Sequence, residues 1–168
     1  MKDTTVKRNF IFALCFFTFC AGIFSMGIGP QADFTAGTDG SDVVVQAGIS
    51  CSIKNDNIPL VISVATDYDF SADSFNVSAT GDYWLLNPMI GNYCSFYTGP
   101  GACIGGSFFA GKAFLCAAPR AVLGLSWIFF DGFLEYFVQA AAQPEWKIGA
   151  ETEFALKIPC NAGIRLYF

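Results

Sequence analysis

The sequence predicts an all-β fold: an eight-stranded, antiparallel, up-and-down transmembrane β-barrel that follows a cleavable N-terminal signal peptide. Three observations lead to this prediction. Apolar and polar residues alternate with a period of two in segment after segment, which is the pattern of β-strands with two different faces. The polar faces hold mostly small uncharged residues, and only 14% of the chain is charged. A basic N-terminus precedes a short apolar run.

The N-terminal segment has the composition of a secretory signal. Basic residues among the first eight positions precede the apolar run 10–24, and small residues lie at its end. We therefore assign residues 1–24 to a signal peptide and residues 25–168 to an outer-membrane barrel domain. A single anchoring helix is the alternative, but the run is about 15 residues long and a spanning helix needs about 20.

The first half of the mature chain contains four alternating segments. The first is the least regular and places Gln31 and Asp33 on one face. The others set valine, isoleucine and aromatic residues against serine, glycine, aspartate and asparagine, as strands between two environments require. The predicted strands are 26–35, 43–53, 58–70 and 75–85.

The second half contains four more segments. The last is the clearest, because every even position from 158 to 168 is apolar while Lys157, Asn161 and Arg165 occupy odd positions. The predicted strands are 92–103, 115–127, 134–142 and 157–168. Eight is an even number, and it is the smallest strand count of bacterial outer-membrane barrels.

The predicted connections between these strands fall into two alternating sets. The brief ones are built on the Asn, Asp, Pro and Gly residues of tight turns, and the other set includes the longest and most polar segments. The two sets are 54–57, 87–91 and 130–132, and 37–42, 71–74, 105–113 and 144–153. Short turns inside and longer loops outside are typical of outer-membrane barrels.

The composition of the polar faces separates a membrane barrel from a soluble one, in which the same alternation occurs. A water-exposed face would carry many Lys, Glu, Asp and Arg residues, whereas these faces carry mostly residues that suit a narrow lumen. Aromatic residues also cluster near strand ends, as girdles at a membrane interface do. The predicted girdles are Tyr83, Trp84, Trp127, Phe129, Phe133 and Phe168 at one end, and Tyr68, Phe70, Phe75 and Phe114 at the other.

Charged residues on the polar faces point into the predicted lumen, where each needs a partner. Counting from the turns places Glu135 and Arg165 at similar heights on neighbouring strands, with Asp82 across the lumen. We expect these three to form a buried network, and we expect Arg120, which lies higher, to reach Asp67. The network is either a plug or a gate, and we favour the plug because eight strands enclose little more than side chains.

The composition excludes several classes of function. The chain has no histidine, which removes His-dependent nucleophilic catalysis and the imidazole ligands of most catalytic zinc sites. The net charge of −5 leaves no basic surface for nucleic acid. Asp67 and Asp69 share one face of a strand, and we interpret them as a solvated mouth rather than a metal site. We predict no enzymatic activity, no metal and no cofactor.

The C-terminus carries a recognisable pattern. Asn161, Gly163, Leu166 and Phe168 match the polar-x-Gly-x-x-hydrophobic-x-aromatic ending of outer-membrane proteins. This ending resembles the β-signal that is read by the barrel-assembly machinery. The resemblance implies that this machinery and outer-membrane lipid are partners of the chain.

Three further stretches, 120–127, 133–139 and 163–168, resemble the small outer-membrane barrel family of spirochaetes. That family is similar to the OmpX and OmpA transmembrane domains. The resemblance covers the second half of the chain well and the first half through pattern and length. It implies an eight-stranded barrel in the outer membrane and little about a ligand.

Three functions are compatible with this architecture. The first is a non-enzymatic outer-membrane protein that stabilises the envelope and presents short loops for adhesion or for binding a host or small-molecule ligand. The second is a narrow OmpW-like channel for small hydrophobic or polar solutes, which a lumen lined by Tyr93, Tyr97 and Phe137 would favour. The third is a secreted, lipocalin-type soluble barrel that binds an apolar ligand with an inward apolar face.

Overall fold

The computed structural model describes residues 26–39, 42–55, 58–109, 112–148 and 152–168, and these residues are built mainly of antiparallel strands. The strands are β1 Met26–Asp39, β2 Asp42–Asn55, β3 Leu60–Asp69, β4 Ser74–Tyr83, β5 Met89–Ile90, β6 Cys94–Phe109, β7 Lys112–Phe129, β8 Leu134–Ile148 and β9 Glu153–Tyr167. A 3₁₀ turn at Phe130–Gly132 joins β7 to β8. In these ranges no helix is long and apolar enough to cross a membrane.

The sheet closes on itself. Each long strand pairs antiparallel with the next one, β4 pairs with β6, and β1 pairs with β9, so that eight long strands form a barrel. β5 is a two-residue strand that pairs only with β6. Closure gives each of the eight long strands a partner on both sides, so that the sheet has no open edge. The predicted fold class is confirmed, while the predicted signal peptide, residues 1–24, lies outside the described residues.

The even strand count places Met26, where β1 begins, and the C-terminal Phe168 at one end of the barrel, which we call the terminal end. It also holds the connections 56–59, 84–93 and 130–133. The opposite end, which we call the loop end, holds the connections 40–41, 70–73, 110–111 and 149–152. The half of the lumen next to the terminal end is the terminal half, and the half next to the loop end is the loop half.

The two faces of the eight long strands point as the alternation predicts. Apolar side chains such as Ile49, Val64 and Leu123 are exposed on the outside, whereas Gln31, Ser52 and other polar side chains are buried inside. Among strand residues with described side chains, none of the Asp, Glu, Lys or Arg residues occupies an outward position. The outside of the barrel is therefore an uncharged apolar belt. This orientation is the reverse of the lipocalin-type arrangement, in which the apolar face lines the interior.

The connections at the loop end are shorter than predicted. Segments 105–113 and 144–153 were expected to be loops, but β6 and β7 remain paired to Phe109 and Lys112, and β8 and β9 to Lys147 and Glu153. Gly105 of the first segment fits a closely packed sheet, because a Cβ there would lie 2.6 Å from the Val77 carbonyl oxygen. The expectation of long outer loops and short inner turns is therefore wrong.

The longest described connection lies instead at the terminal end, where the predicted strand 75–85 stops early. After Tyr83 the chain leaves the sheet, Trp84 turns into the lumen, and looser pairing resumes at Leu86 with Thr98. The break faces Gly99, which has no side chain to push the bulging backbone away. Trp84 is only 3% exposed and does not belong to the predicted girdle.

Candidate functional site: the barrel lumen

A buried cluster of charges, which we call the plug, closes the terminal half of the lumen. Glu135 and Arg165 are direct partners on β8 and β9, and both are 0% exposed. Arg165 Nη1 lies 3.1 Å from Glu135 Oε2, and Lys54 Nζ lies 3.1 Å from Glu135 Oε1. The Tyr167 hydroxyl donates to Glu135 Oε2 at 2.5 Å, and Arg165 Nε donates to Ser52 Oγ at 2.9 Å. One carboxylate thus holds two cations and a phenol.

Aromatic rings fill the space around the plug. Trp84 and Tyr97 stack with their ring centroids 3.7 Å apart and an interplanar angle of 12°. Lys54 Nζ lies 4.5 Å from the centroid of the Trp84 ring, and Arg165 Cζ lies 3.7 Å from the centroid of the Phe137 ring. Cations held over ring faces in this way are stabilised by the ring quadrupole, most strongly when water is excluded.

Several lumen contacts form across a glycine, because a strand without an inward side chain lets its two neighbours meet. Tyr97 and Gln139 both pair with Gly124, and the Tyr97 hydroxyl donates to Gln139 Oε1 at 3.1 Å. Asp82 and Arg120 both pair with Gly101, and Arg120 Nε lies 3.1 Å from Asp82 Oδ1. Side chains from two strands that are not neighbours thus meet in the lumen, over the glycine of the strand between them.

This geometry separates the predicted network into parts. Glu135 and Arg165 are in contact, but Asp82 is paired with Arg120 instead and interacts with Arg165 only electrostatically. The expected pairing of Arg120 with Asp67 is wrong, because Asp82 lies above Gly101, next to Arg120, while Asp67 extends from β3. The heights were read from turn positions, which do not include the stagger between strands of a tilted barrel.

Sequence reasoning missed several members of the plug. Lys54 was assigned to a turn, although it continues the inward even positions of β2 that include Ser52. Extending the alternation by one more residue pair would have placed its amine in the lumen. Tyr97 and Phe137 lie inside as the channel hypothesis required, but Tyr93 is 64% exposed and lies in the connection 84–93.

The loop half of the lumen contains a polar cavity of about 60 Å³. Lys157 Nζ lies 2.6 Å from Glu145 Oε1 on its wall, and Gln143 Nε2 donates to Glu145 Oε2 at 3.1 Å. Asp33 also lines it and accepts from Gln31 Nε2 at 3.2 Å. Asp67 completes the acidic side of the cavity.

Asp69, which shares the strand face of Asp67, has a structural role at the rim. Its Oδ1 accepts the backbone N–H groups of Ser71 and Ala72, at 2.9 and 3.1 Å, and its Oδ2 accepts from Gln46 Nε2 at 2.9 Å. This carboxylate therefore caps the turn between β3 and β4. Asp67 and Asp69 therefore do not form a single acidic entrance to the lumen.

The residues of the C-terminal pattern lie on β9 or directly after it. Asn161 points inward, donates to Asp33 Oδ1 and accepts from Gln139 Nε2 at 3.3 Å. Gly163 pairs with Gln31 and leaves no room for a Cβ there. Leu166 pairs with Ile28 and Leu134, and Phe168 is exposed with its ring edge-on to Phe133. The first two residues therefore also organise the lumen.

Replacing Gly124 by alanine tests the glycine contacts. The added Cβ would lie closer than 3.0 Å to the Tyr97 ring, which is fixed by its stack on Trp84. We expect the free energy of unfolding, measured by urea titration in detergent, to fall by about 1–3 kcal/mol through overpacking. Gly81→Ala is the matched control, because no atom lies within 4 Å of its added Cβ. Equal effects of both variants would contradict the packing argument.

The side chains that the structure describes in the lumen are arranged for packing and charge pairing. The chain has no histidine, and the described residues contain no group of three or more His, Cys, Asp or Glu side chains placed to hold a metal ion. Its carboxylates are engaged mainly in ion pairs or turn capping. These side chains fill the interior of the barrel, and their ion pairs and hydrogen bonds connect its strands.

Comparisons with solved structures show the same architecture, although no protein-family model and no curated protein matches the chain. Neisserial surface protein A, NspA, matches with a TM-score of 0.60 and 11% identity over 85% of this chain and 97% of that chain. Both it and the next match are eight-stranded outer-membrane β-barrels. This chain has their fold.

The second match is Ail, the attachment invasion locus protein of Yersinia pestis, in complex with the heparin analogue sucrose octasulfate. It has a TM-score of 0.51 and 10% identity over 86% of this chain and 99% of that chain. Identities this low carry the fold and not a shared function. The resemblance to the spirochaetal family stays a prediction.

Proposed function

We propose that the chain is a non-enzymatic integral protein of the bacterial outer membrane, with its loop end on the cell surface and its lumen closed by the plug. The uncharged apolar belt is the observation that carries this proposal. A closed barrel with an apolar exterior satisfies its backbone inside hydrocarbon, whereas the same exterior in water would be a very large exposed apolar patch. The match to two outer-membrane barrels supports it.

The strand lengths also suit a membrane. The long strands have 10 to 18 residues. A tilted strand of about 10 residues crosses the hydrocarbon of an outer membrane, which is about 25 Å thick. Exposed rings lie near both ends of the strands, with Phe129 beside Tyr136 at the terminal end and Trp146 beside Phe154 at the loop end.

The role in the envelope that we propose is structural, with adhesion or ligand binding as a surface function. The printed name of Ail refers to attachment and invasion, and its structure contains a heparin analogue. In this chain only two or four residues separate neighbouring strands at the loop end, so a contact surface there has little chain beyond the strand ends. The C-terminal segment is proposed to act as the signal for the barrel-assembly machinery.

The channel hypothesis is less well supported. Arg165, Glu135, Tyr97 and Phe137 are almost completely buried and occupy the cross-section through which a solute would pass. A narrow barrel whose interior is filled by side chains does not conduct.

The experiment uses the mature chain refolded in detergent and in lipid vesicles. We expect an unboiled sample to migrate faster than a boiled one on a gel, and we expect no steady conductance in a planar bilayer. A β-rich protein that stays folded and monomeric without detergent would contradict the membrane assignment. Steady single-channel currents from a correctly folded sample would contradict the closed lumen and favour the channel.

A further inference from the structure

We propose that the loop half of the lumen binds a divalent metal cation between Asp33 and Asp67, across Gly48. Asp33 on β1 and Asp67 on β3 are both register partners of Gly48 on β2. A Cβ on Gly48 would lie closer than 3.0 Å to Asp67 Oδ1, so this carboxylate leans over the glycine toward β1. The two acids occupy the same relative positions as Asp82 and Arg120, which meet across Gly101.

The difference between the two sites is the sign of the charges. Across Gly101 an acid meets a base, and across Gly124 a phenol meets an amide. Across Gly48 two acids face each other and interact electrostatically. Two carboxylates at such a place in a narrow lumen repel each other unless a cation lies between them or a proton neutralises one of them.

The lumen cations nearby are already engaged. Arg120 and Lys157 line the same cavity, but Arg120 Nε lies 3.1 Å from Asp82, and Lys157 Nζ lies 2.6 Å from Glu145. Lys54 and Arg165 are held by Glu135 in the plug. Among the described residues no ion pair joins a cationic side chain to Asp33 or Asp67, which interact with Arg120 and Lys157 only electrostatically. A dication matches the combined charge of the two carboxylates.

The free oxygens of the site suit a hard cation. Asp33 is 6% exposed and uses Oδ1 to accept from Gln31 and Asn161, while Oδ2 accepts no hydrogen bond. Gln31 Oε1 is likewise buried and without a donor. The Ser50 hydroxyl lies near Asp33 but not in hydrogen-bonding geometry. Carboxylate, amide and hydroxyl oxygens are the ligands of Ca²⁺.

The expected affinity is low. The described residues provide no third acidic ligand around this point, and Ca²⁺ affinity rises with the number of charged ligands. Water would complete the coordination in a cavity of about 60 Å³, which has room for several molecules. We therefore expect a dissociation constant of about 10⁻⁴ to 10⁻³ M, as in extracellular calcium modules.

The test is calcium titration of the chain without segment 1–24, refolded in a zwitterionic detergent so that no anionic lipid binds the metal. Calorimetry should show one site in the wild type, and calcium should raise the midpoint of thermal unfolding relative to a chelator. Asp33→Asn and Asp67→Asn keep the shape of each side chain and should each weaken binding about tenfold or more.

Asp131→Asn is the control for net charge. Asp131 lies in the exposed 3₁₀ turn at the far end of the barrel with φ of 55°, a conformation that asparagine tolerates. This variant should bind calcium like the wild type. Unboiled gel mobility checks that each variant is folded, so that a loss of binding is not a loss of structure.

Three results would overturn the proposal. The first is the absence of calcium binding by folded wild type, and the second is equal binding by wild type, Asp33→Asn and Asp67→Asn. In the third, calcium does not change the unfolding midpoint of the wild type, but lowering the pH from about 7.5 to about 5.5 raises it, and Asp67→Asn removes this effect of pH. That result would mean that a proton neutralises the pair.

Discussion

Replacing Glu135 by glutamine is expected to lower the free energy of unfolding by about 3–5 kcal/mol, because it removes the single carboxylate that two buried cations share. Lys54 and Arg165 would remain in the lumen, where each now lies 3.1 Å from a Glu135 oxygen. The glutamine fills the same volume and can still accept a hydrogen bond from Tyr167, so the loss is one of charge rather than packing. The plug is therefore expected to loosen.

The measurement is equilibrium unfolding of wild type and variant in urea, in the same detergent or vesicles. Glu153→Gln is the matched control, since it makes the same chemical change at an exposed carboxylate that lies 3.9 Å from Lys147. An exposed pair of this kind contributes about 0–1 kcal/mol. If both variants behave alike, water in the lumen screens the charges of the plug, and the lumen is not closed there.

Much of the fold follows from alternation alone, and the reason is physical. A barrel strand has lipid on one side and a lumen on the other, so each residue is selected for one of two very different environments. From Ile158 to Leu166 the even residues are apolar and outward, and Lys157 and Arg165 are inward. This regularity fixes the faces of all eight long strands and therefore the side on which each charge lies.

What alternation does not fix is the height of one strand against its neighbour. The pairing of Arg120 with Asp82 instead of Asp67 depends on the stagger of β4, β6 and β7, which closure of the whole ring determines. Glycine adds a second difficulty. It suggests a loop in sequence, yet Gly101, Gly105 and Gly124 lie within strands, where they let neighbouring side chains or backbones come close.

Trp84 was misplaced for a different reason. Its position in sequence, next to Tyr83 and Leu85, is that of a girdle residue at the end of a strand. In the structure it continues the inward even positions of β4, two residues after Asp82, and its ring stacks on Tyr97 and contacts Lys54. Alternation therefore places Trp84 in the lumen, and the assignment to the girdle followed its aromatic residue type instead.

The second large effect is expected from a charge placed on the outer, apolar face of the barrel. Leu123 is 55% exposed on the outside of β7. It lies between Ala117, which pairs with Trp146 near the loop end, and Trp127 near the terminal end. Leu123→Arg places a charge in the middle of the apolar belt and is expected to destabilise the barrel in vesicles by about 2–4 kcal/mol. Leu115→Arg makes the same change near the loop end, where the cost is expected to be about 0–1 kcal/mol.

Folding into phosphatidylcholine vesicles, followed by unfolding in guanidinium, measures both variants, and Leu123→Ala separates the loss of the leucine from the gain of the charge. The comparison distinguishes lipid from water on the outer face, because water solvates an arginine equally well at both positions. A depth-dependent penalty therefore requires hydrocarbon around Leu123. Equal and small effects of the two arginines would show that the belt is not in contact with lipid, and the barrel would need another apolar partner to cover it.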